Sequence, residues 1–269
     1  MREFLVRTSH KPRPLPPGRW AVTQRWNDLL FAHWPVPSQT LARLLPEWLE
    51  PDIYQGSAWL GVVPFWLDRV RIRGVPPLPG IRNFPDLNLR TYVRDQYTGT
   101  PGIYCFSFDT SNIIAIAVAR TLYHLPYYWA DMRFEQRSER EFAFSSSRRF
   151  AKGKVIFNAR YRGLGPTRKT AEHSAGSFEY FFSERSYLFS ANRAGQPFRA
   201  HLHHVPWPLE DAEAEIDRND LASPFGIDLP DIEPVLHYSR RLAVYVWPAE
   251  LVRPAMAGTP VTAVAAPSS

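Results

Sequence analysis

The chain has 269 residues, 45% hydrophobic and 22% charged, so it can bury a sizeable core and is neither wholly disordered nor fibrous. Its single cysteine, Cys105, excludes an internal disulfide and a cysteine-based zinc site. No apolar run approaches the roughly 20 residues of a membrane span, and the amino terminus lacks the apolar core of a signal peptide, so a soluble, cytoplasmic protein is expected.

Aromatic residues reach 14%, and 26 prolines outnumber 14 glycines, which favours short strands and stiff turns over long helices. Lys and Arg exceed Asp and Glu by 32 to 26, which brings nucleic acid or an anionic membrane into consideration. The cations are scattered, however. Outside the tail the one dense cluster, SSRRFAKGK (Ser146–Lys154), reads as a hairpin turn with a solvated face, and no nucleic-acid motif accompanies it. Only Lys11, Lys152, Lys154 and Lys169 are lysines.

In chain order, residues 1–19 (basic, Pro-rich) and 254–269 (Ala, Pro, Thr and Ser, uncharged) are expected to be disordered tails flanking one domain over residues 20–253. VPSQTLARLLPEWL predicts a short helix with Ser38 as N-cap, an apolar stripe of Leu41, Leu44 and Leu45, and Pro46 as its stop. Strand-like runs follow: SAWLGVVPFW, NLRTYVRD, GIYCFSFD, RFEQRSEREFAFSS, KVIFNARYR, SFEYFFSERSYLFS, FRAHLHHV and LHYSRRLAVYVW. Their alternation predicts an α+β protein, mainly antiparallel β, closed into a barrel or strongly curved sheet. One long helix interrupts them, Ser111–His124, capped near Thr110 or Ser111 and stopped by Pro126. It is apolar nearly all round and therefore expected to be buried. LEDAEAEIDRNDL reads as an acidic, amphipathic surface helix.

Three groups of residues could carry chemistry. In FPDLNLRTYV, period-two spacing turns Asp86, Asn88, Arg90 and Tyr92 one way and Leu87, Leu89 and Val93 the other, so the polar face is either solvated or lines a polar cavity. Arg120, on the apolar stripe of a helix expected to be buried, needs a carboxylate or an anion; Asp86 and Asp109 are the candidates, in a structural pair or beside a ligand. HLHHVPW holds three of the eight histidines without a further ligand at convincing spacing, so strand packing is expected there and no metal. No Gly-rich phosphate loop, GxSxG elbow or HExxH is present, and no cofactor is expected. Cys105 lies in an aromatic strand and reads as a small packed hydrophobe.

QRWNDLLFAHWPV, WLGVVPFW, FPDLNLRTYV, ARTLYHLPYYWADM and HVPWPL resemble, in this order, signature stretches of the YqjF-like family of bacterial proteins of unknown function. The resemblance implies a relationship in fold to acetoacetate decarboxylase: a β-barrel or cone around a small, largely apolar pocket, with a buried helix and short surface helices. It also implies that Arg120 matches the helix arginine of the decarboxylases and that Asp86 sits where they place a glutamate. The decarboxylases follow that helix with a Gly-Tyr-Pro-Lys-Lys-like stretch whose first lysine forms a Schiff base. Here the run is HLPYYWA, with Tyr127 and Tyr128 after Pro126.

The chemistry of the lysines independently argues against an imine. A Schiff-base lysine needs burial or a second cation to depress its pKa, and all four lysines stand in tail, turn or loop-like contexts. Two function classes remain. The first is binding of a small carbonyl or carboxylate metabolite through Asn88, Arg90 and Arg120. The second is a lyase- or hydrolase-type reaction on a small keto or carboxylic acid, with Asp86 as base and Tyr127 or Tyr128 as acid. Nucleic acid is a distant third partner class, and self-association is left open.

Overall fold

A computed structural model describes residues 14–76, 80–81, 83–169 and 176–253. The carboxy-terminal tail and residues 1–13 of the amino-terminal one lie outside the described residues. Among the described residues fourteen strands and three α-helices follow one another, beginning with β1 (Val22–Val36), α1 (Ser38–Ala42), β2 (Leu49–Pro51), β3 (Ala58–Ile72), β4 (Phe84–Asp95) and β5 (Pro101–Thr110). Helix α2 (Ile113–Leu122) leads into β6 (Tyr127–Gln136), β7 (Glu141–Arg148), β8 (Ile156–Gly163) and β9 (Arg168–Lys169). Helix α3 (Phe178–Ser183) precedes β10 (Tyr187–Ala191), β11 (Pro197–His203), β12 (Pro208–Asn219), β13 (Val235–Val246) and β14 (Glu250–Leu251). No helix among the described residues is long and apolar enough to cross a membrane.

The strands join in one sheet, antiparallel except where β5 meets β6 and β10. Its hydrogen bonding returns on itself twice. One ring of seven strands runs β4-β3-β1-β13-β11-β10-β5 and back to β4. The other runs from β5 through β6, β7, β8 and β12 to β13, and returns by β1, β3 and β4. Each ring encloses its own hydrophobic cluster. Leu87, Leu89 and Val93 of β4 face the one that holds Phe142, Phe144 and Phe157; Phe84 and Tyr92 face the other, with Phe31, Phe182 and Leu202. The alternation of β4 is therefore that of a strand shared by two interiors, which is why its polar residues Asp86, Asn88, Arg90 and Thr91 are buried.

Several local expectations need correction. LEDAEAEIDRNDL is strand β12, not a helix: Asp211, Glu213 and Glu215 alternate outward and meet Arg168, Arg162 and Arg160 across the strand pairs. Period-two spacing of the acids outweighed the helical propensity of Ala and Glu once β8 and β9 offered matching arginines. SFEYFF is helix α3 and not a strand, because the Ser177 side chain accepts the Tyr180 amide and so caps it. RFEQRSEREFAFSS divides into β6 and β7. The stretch QRWNDLLFAHWPV, absent from the strand expectations, forms the long β1.

At α1, Pro37 occupies the cap position and Ser38 makes no capping bond. The cap of α2 is Asn112, whose side chain accepts the Ala115 amide at 3.0 Å. Nor is α2 buried. It lies across the sheet with Ile116 inward while Ile113, Ile114 and Leu122 are 56%, 44% and 52% exposed. The SSRRFAKGK cluster is a hairpin turn between β7 and β8, yet Arg148 within it is buried.

Candidate functional site

The seven-stranded ring encloses a cavity of about 120 Å³, covered on one side by Ala115, Val118 and Ala119 of α2. Hydrocarbon dominates its wall. Asn88 and Arg90 reach it from β4, Cys105 from β5 and Tyr127 from the start of β6, and Arg90 is the one charged residue among the described lining. Asp86, Asn88, Arg90 and Tyr92 are all at most 5% exposed, so the polar face of β4 is interior.

Arg90 owes its position to its neighbours. It pairs in register with Gly61 of β3, where a Cβ would lie 3.1 Å from the His33 ring; glycine there leaves room for that ring beside the arginine. One terminal nitrogen, Nη2, donates to the Tyr92 hydroxyl at 3.2 Å, and the guanidinium faces the rings of Phe31 and Tyr92. No carboxylate among the described residues pairs with it, and its Nε is buried without a partner.

The Tyr92 oxygen also lies 2.6 Å from His33 Nε2. A guanidinium has only donors, so the phenol proton goes to the imidazole, which makes His33 neutral with its proton on Nδ1. Burial, Arg90 and His237 all push the His33 pKa well down, in agreement with the hydrogen-bond logic.

Tyr127 stacks on Phe108 with ring centres 4.6 Å apart and donates to Asp86 Oδ2 at 3.1 Å. Asp86 is fully buried and its other oxygen has no partner. Burial foremost, with the nearby Asp109 carboxylate adding to it, pushes its pKa up to about 8, so at neutral pH it is mostly the neutral acid. Burial and Asp86 together drive the Tyr127 phenol well up. Cys105 is pushed up to about 12 by burial, which makes it a packed thiol and not a nucleophile.

The other sequence candidates lie elsewhere. Arg120 is exposed and donates from Nε to the Tyr127 carbonyl at 2.9 Å; it touches neither Asp86 nor Asp109 and is not among the lining residues. An arginine near the end of an incompletely buried helix needs no counter-ion, because solvent supplies the other hydrogen bonds. Tyr128, one residue past Tyr127, turns away beneath the Arg148 guanidinium, 4.0 Å from its ring centre. Arg148 is the partner that Asp109 was expected to find in Arg120, at 2.7 Å and with both groups buried.

His201 and His203 sit among Tyr187, Trp247 and Tyr245, and no metal-binding cluster occurs among the described residues. Lys152, Lys154 and Lys169 are all exposed, and Lys11 lies outside the described residues. Sequence reasoning missed His33 and the apolar walls of the cavity, which come from strands and a helix far apart in the chain.

A curved sheet closed around a small chamber with a helix across it is the acetoacetate-decarboxylase-like fold. Acetoacetate decarboxylase from Legionella pneumophila matches with a TM-score of 0.59 at 12% identity, over 90% of this chain and 92% of that one. The enduracididine biosynthesis enzyme MppR, in its complex with pyruvate, matches with a TM-score of 0.59 at 13% identity, over 89% and 92%. Within that fold class the chain belongs to the DUF2071 family of uncharacterised conserved proteins, whose pattern spans residues 23–243. It is 43% identical over 242 residues to the uncharacterised protein YqjF of Bacillus subtilis, covering 90% of this chain and 97% of that one.

Proposed function

We propose that the protein is a cytoplasmic binder of a small carbonyl or carboxylate metabolite, held in the cavity of the seven-stranded ring without Schiff-base chemistry. The observation that carries this reading is Arg90: a cation 4% exposed, lining an apolar chamber, with no carboxylate partner among the described residues. A buried guanidinium is costly unless something completes its hydrogen bonds, and a ligand anion does so. The complex of MppR with pyruvate supplies a precedent for such a ligand in this fold. Recovery of bound metabolites from the purified protein, read by mass spectrometry and followed by calorimetric titration, tests it. Carboxylates should bind to wild type and fail with Arg90→Met; equal binding by both proteins refutes the assignment.

A second reading rests on the hydrogen bond between Tyr127 and Asp86. A neutral acid behind a phenol can deliver a proton to an oxygen in the cavity, as a lyase- or hydrolase-type reaction on a small keto or carboxylic acid requires. Turnover of the recovered metabolite, lost in Tyr127→Phe with binding retained, would favour this reading over simple binding. In both readings borohydride with pyruvate or acetoacetate leaves Lys152, Lys154 and Lys169 unmodified; a trapped adduct at any of them overturns the exclusion of imine chemistry.

A further inference from the structure

We propose that the ligand is a short-chain monocarboxylate of three or four carbons, its carboxylate clamped by Arg90 and Asn88 and its tail buried in the rest of the chamber. The inference rests on the small-carboxylate reading above and narrows it through three features of the wall.

The first is charge. Arg90 is the single charged lining residue among those described, so the chamber can neutralise one carboxylate and no more. A second carboxylate would be buried unpaired, at a cost that binding could not recover.

The second is the donor set. Arg90 Nη2 is committed to Tyr92, while Arg90 Nη1 and Asn88 Nδ2 are not, and these two donors stand together for the carboxylate; elsewhere on the wall are Gln24 and Trp26, whose Nε1 is buried without a partner. The two residues are two apart on one strand face, suited to one oxygen each of a carboxylate. The Tyr127 hydroxyl proton is directed to Asp86, so a donor for an oxo or hydroxyl group on the tail would have to come from Gln24 or Trp26.

The third is size and lining. Leu67, Ile72, Ile81, Ile103, Leu202 and Val246 supply hydrocarbon wall, and the volume is about 120 Å³. An apolar cavity of about 150 Å³ takes a benzene molecule, so this one, smaller by about a fifth, takes about five non-hydrogen atoms, the size of propanoate, with butanoate one atom larger.

Calorimetric titration of the full chain with the straight-chain acids from acetate to octanoate, and with malonate, pyruvate, acetoacetate and butyramide, tests the inference. Each methylene buried contributes about 0.8 kcal/mol, so affinity should rise about fourfold per carbon up to propanoate or butanoate and then fall. Malonate and butyramide should bind at least tenfold more weakly than butanoate. Ala119→Leu, which fills part of the wall, should move the optimum to shorter acids, and Ala115→Leu serves the same purpose if the first variant fails to fold. Tighter binding of malonate than of butanoate, or an optimum beyond five carbons, overturns the monocarboxylate inference while leaving the small-carboxylate reading in place. Failure of every acid to bind overturns both.

Discussion

Arg90→Met separates a ligand-binding arginine from a structural one. A buried guanidinium without a counter-ion costs several kcal/mol in desolvation. Its compensation within the protein is one hydrogen bond to Tyr92 at 3.2 Å, worth about 1.5–3 kcal/mol, and contacts with the Phe31 and Tyr92 rings, each worth about 0.5–1 kcal/mol. Methionine keeps the aliphatic stem without the charge. The unliganded variant should therefore be more stable than wild type by about 1–3 kcal/mol. At about 2–4 °C per kcal/mol for a domain of this size, that is a rise in Tm of about 2–12 °C.

Ligand reverses the order. Wild type at a hundredfold excess over Kd gains about 2.7 kcal/mol, and the variant gains nothing. Urea unfolding and thermal scans with and without butanoate measure both quantities. A destabilised Arg90→Met, with no ligand-dependent gap between the two proteins, would show that the arginine holds the fold together and would refute the reasoning from its missing partner.

The protonated Asp86 makes stability pH-dependent. Its folded pKa of about 8 lies above the ordinary 3.8, so between these values the folded chain holds a proton that the unfolded chain has lost. Stability should fall as pH rises through that window, by at most about 1.4 kcal/mol per unit, and Asp86→Asn should remove this component of the slope; an unchanged slope in the variant refutes it. Arg148→Met leaves Asp109 buried without its partner and should cost about 3–5 kcal/mol in urea unfolding, much of it recovered on adding Asp109→Leu. Arg120→Ala removes an exposed side chain bonded to a backbone carbonyl and should cost about 1 kcal/mol or less with butanoate affinity unchanged, whereas a loss of binding would return Arg120 to the site.

Much of the β architecture could be read from local spacing, because a strand writes its two faces into alternate residues. FPDLNLRTYV showed its division into Asp86, Asn88, Arg90 and Tyr92 on one side and leucines on the other. The same rule was available in the acids of β12, where Asp211, Glu213 and Glu215 alternate; the helical propensity of Ala and Glu obscured it until β8 supplied the facing arginines. Helix α2 was recognisable from the run Ser111–His124 and its stop at Pro126, but neither its cap at Asn112 nor its exposed outer face was. An apolar composition records what a helix can cover, and not whether a second layer covers its outer face.

What the sequence by itself determined was the mainly antiparallel class, the interior polar strand as one of two readings, and the exclusion of a disulfide scaffold. The family resemblance carried by five ordered motifs added the fold. Only the tertiary structure decided which charges meet. Arg120 and Arg148 are both arginines that end apolar or strand-like runs, yet one is in solvent and the other is locked to Asp109. It also joined His33, Gly61, Arg90 and Tyr92, which lie on three different strands, into one buried cluster. Partner choice between side chains far apart in the chain depends on strand register and ring closure. These follow from the summed packing of the whole sheet and leave no local periodicity to read.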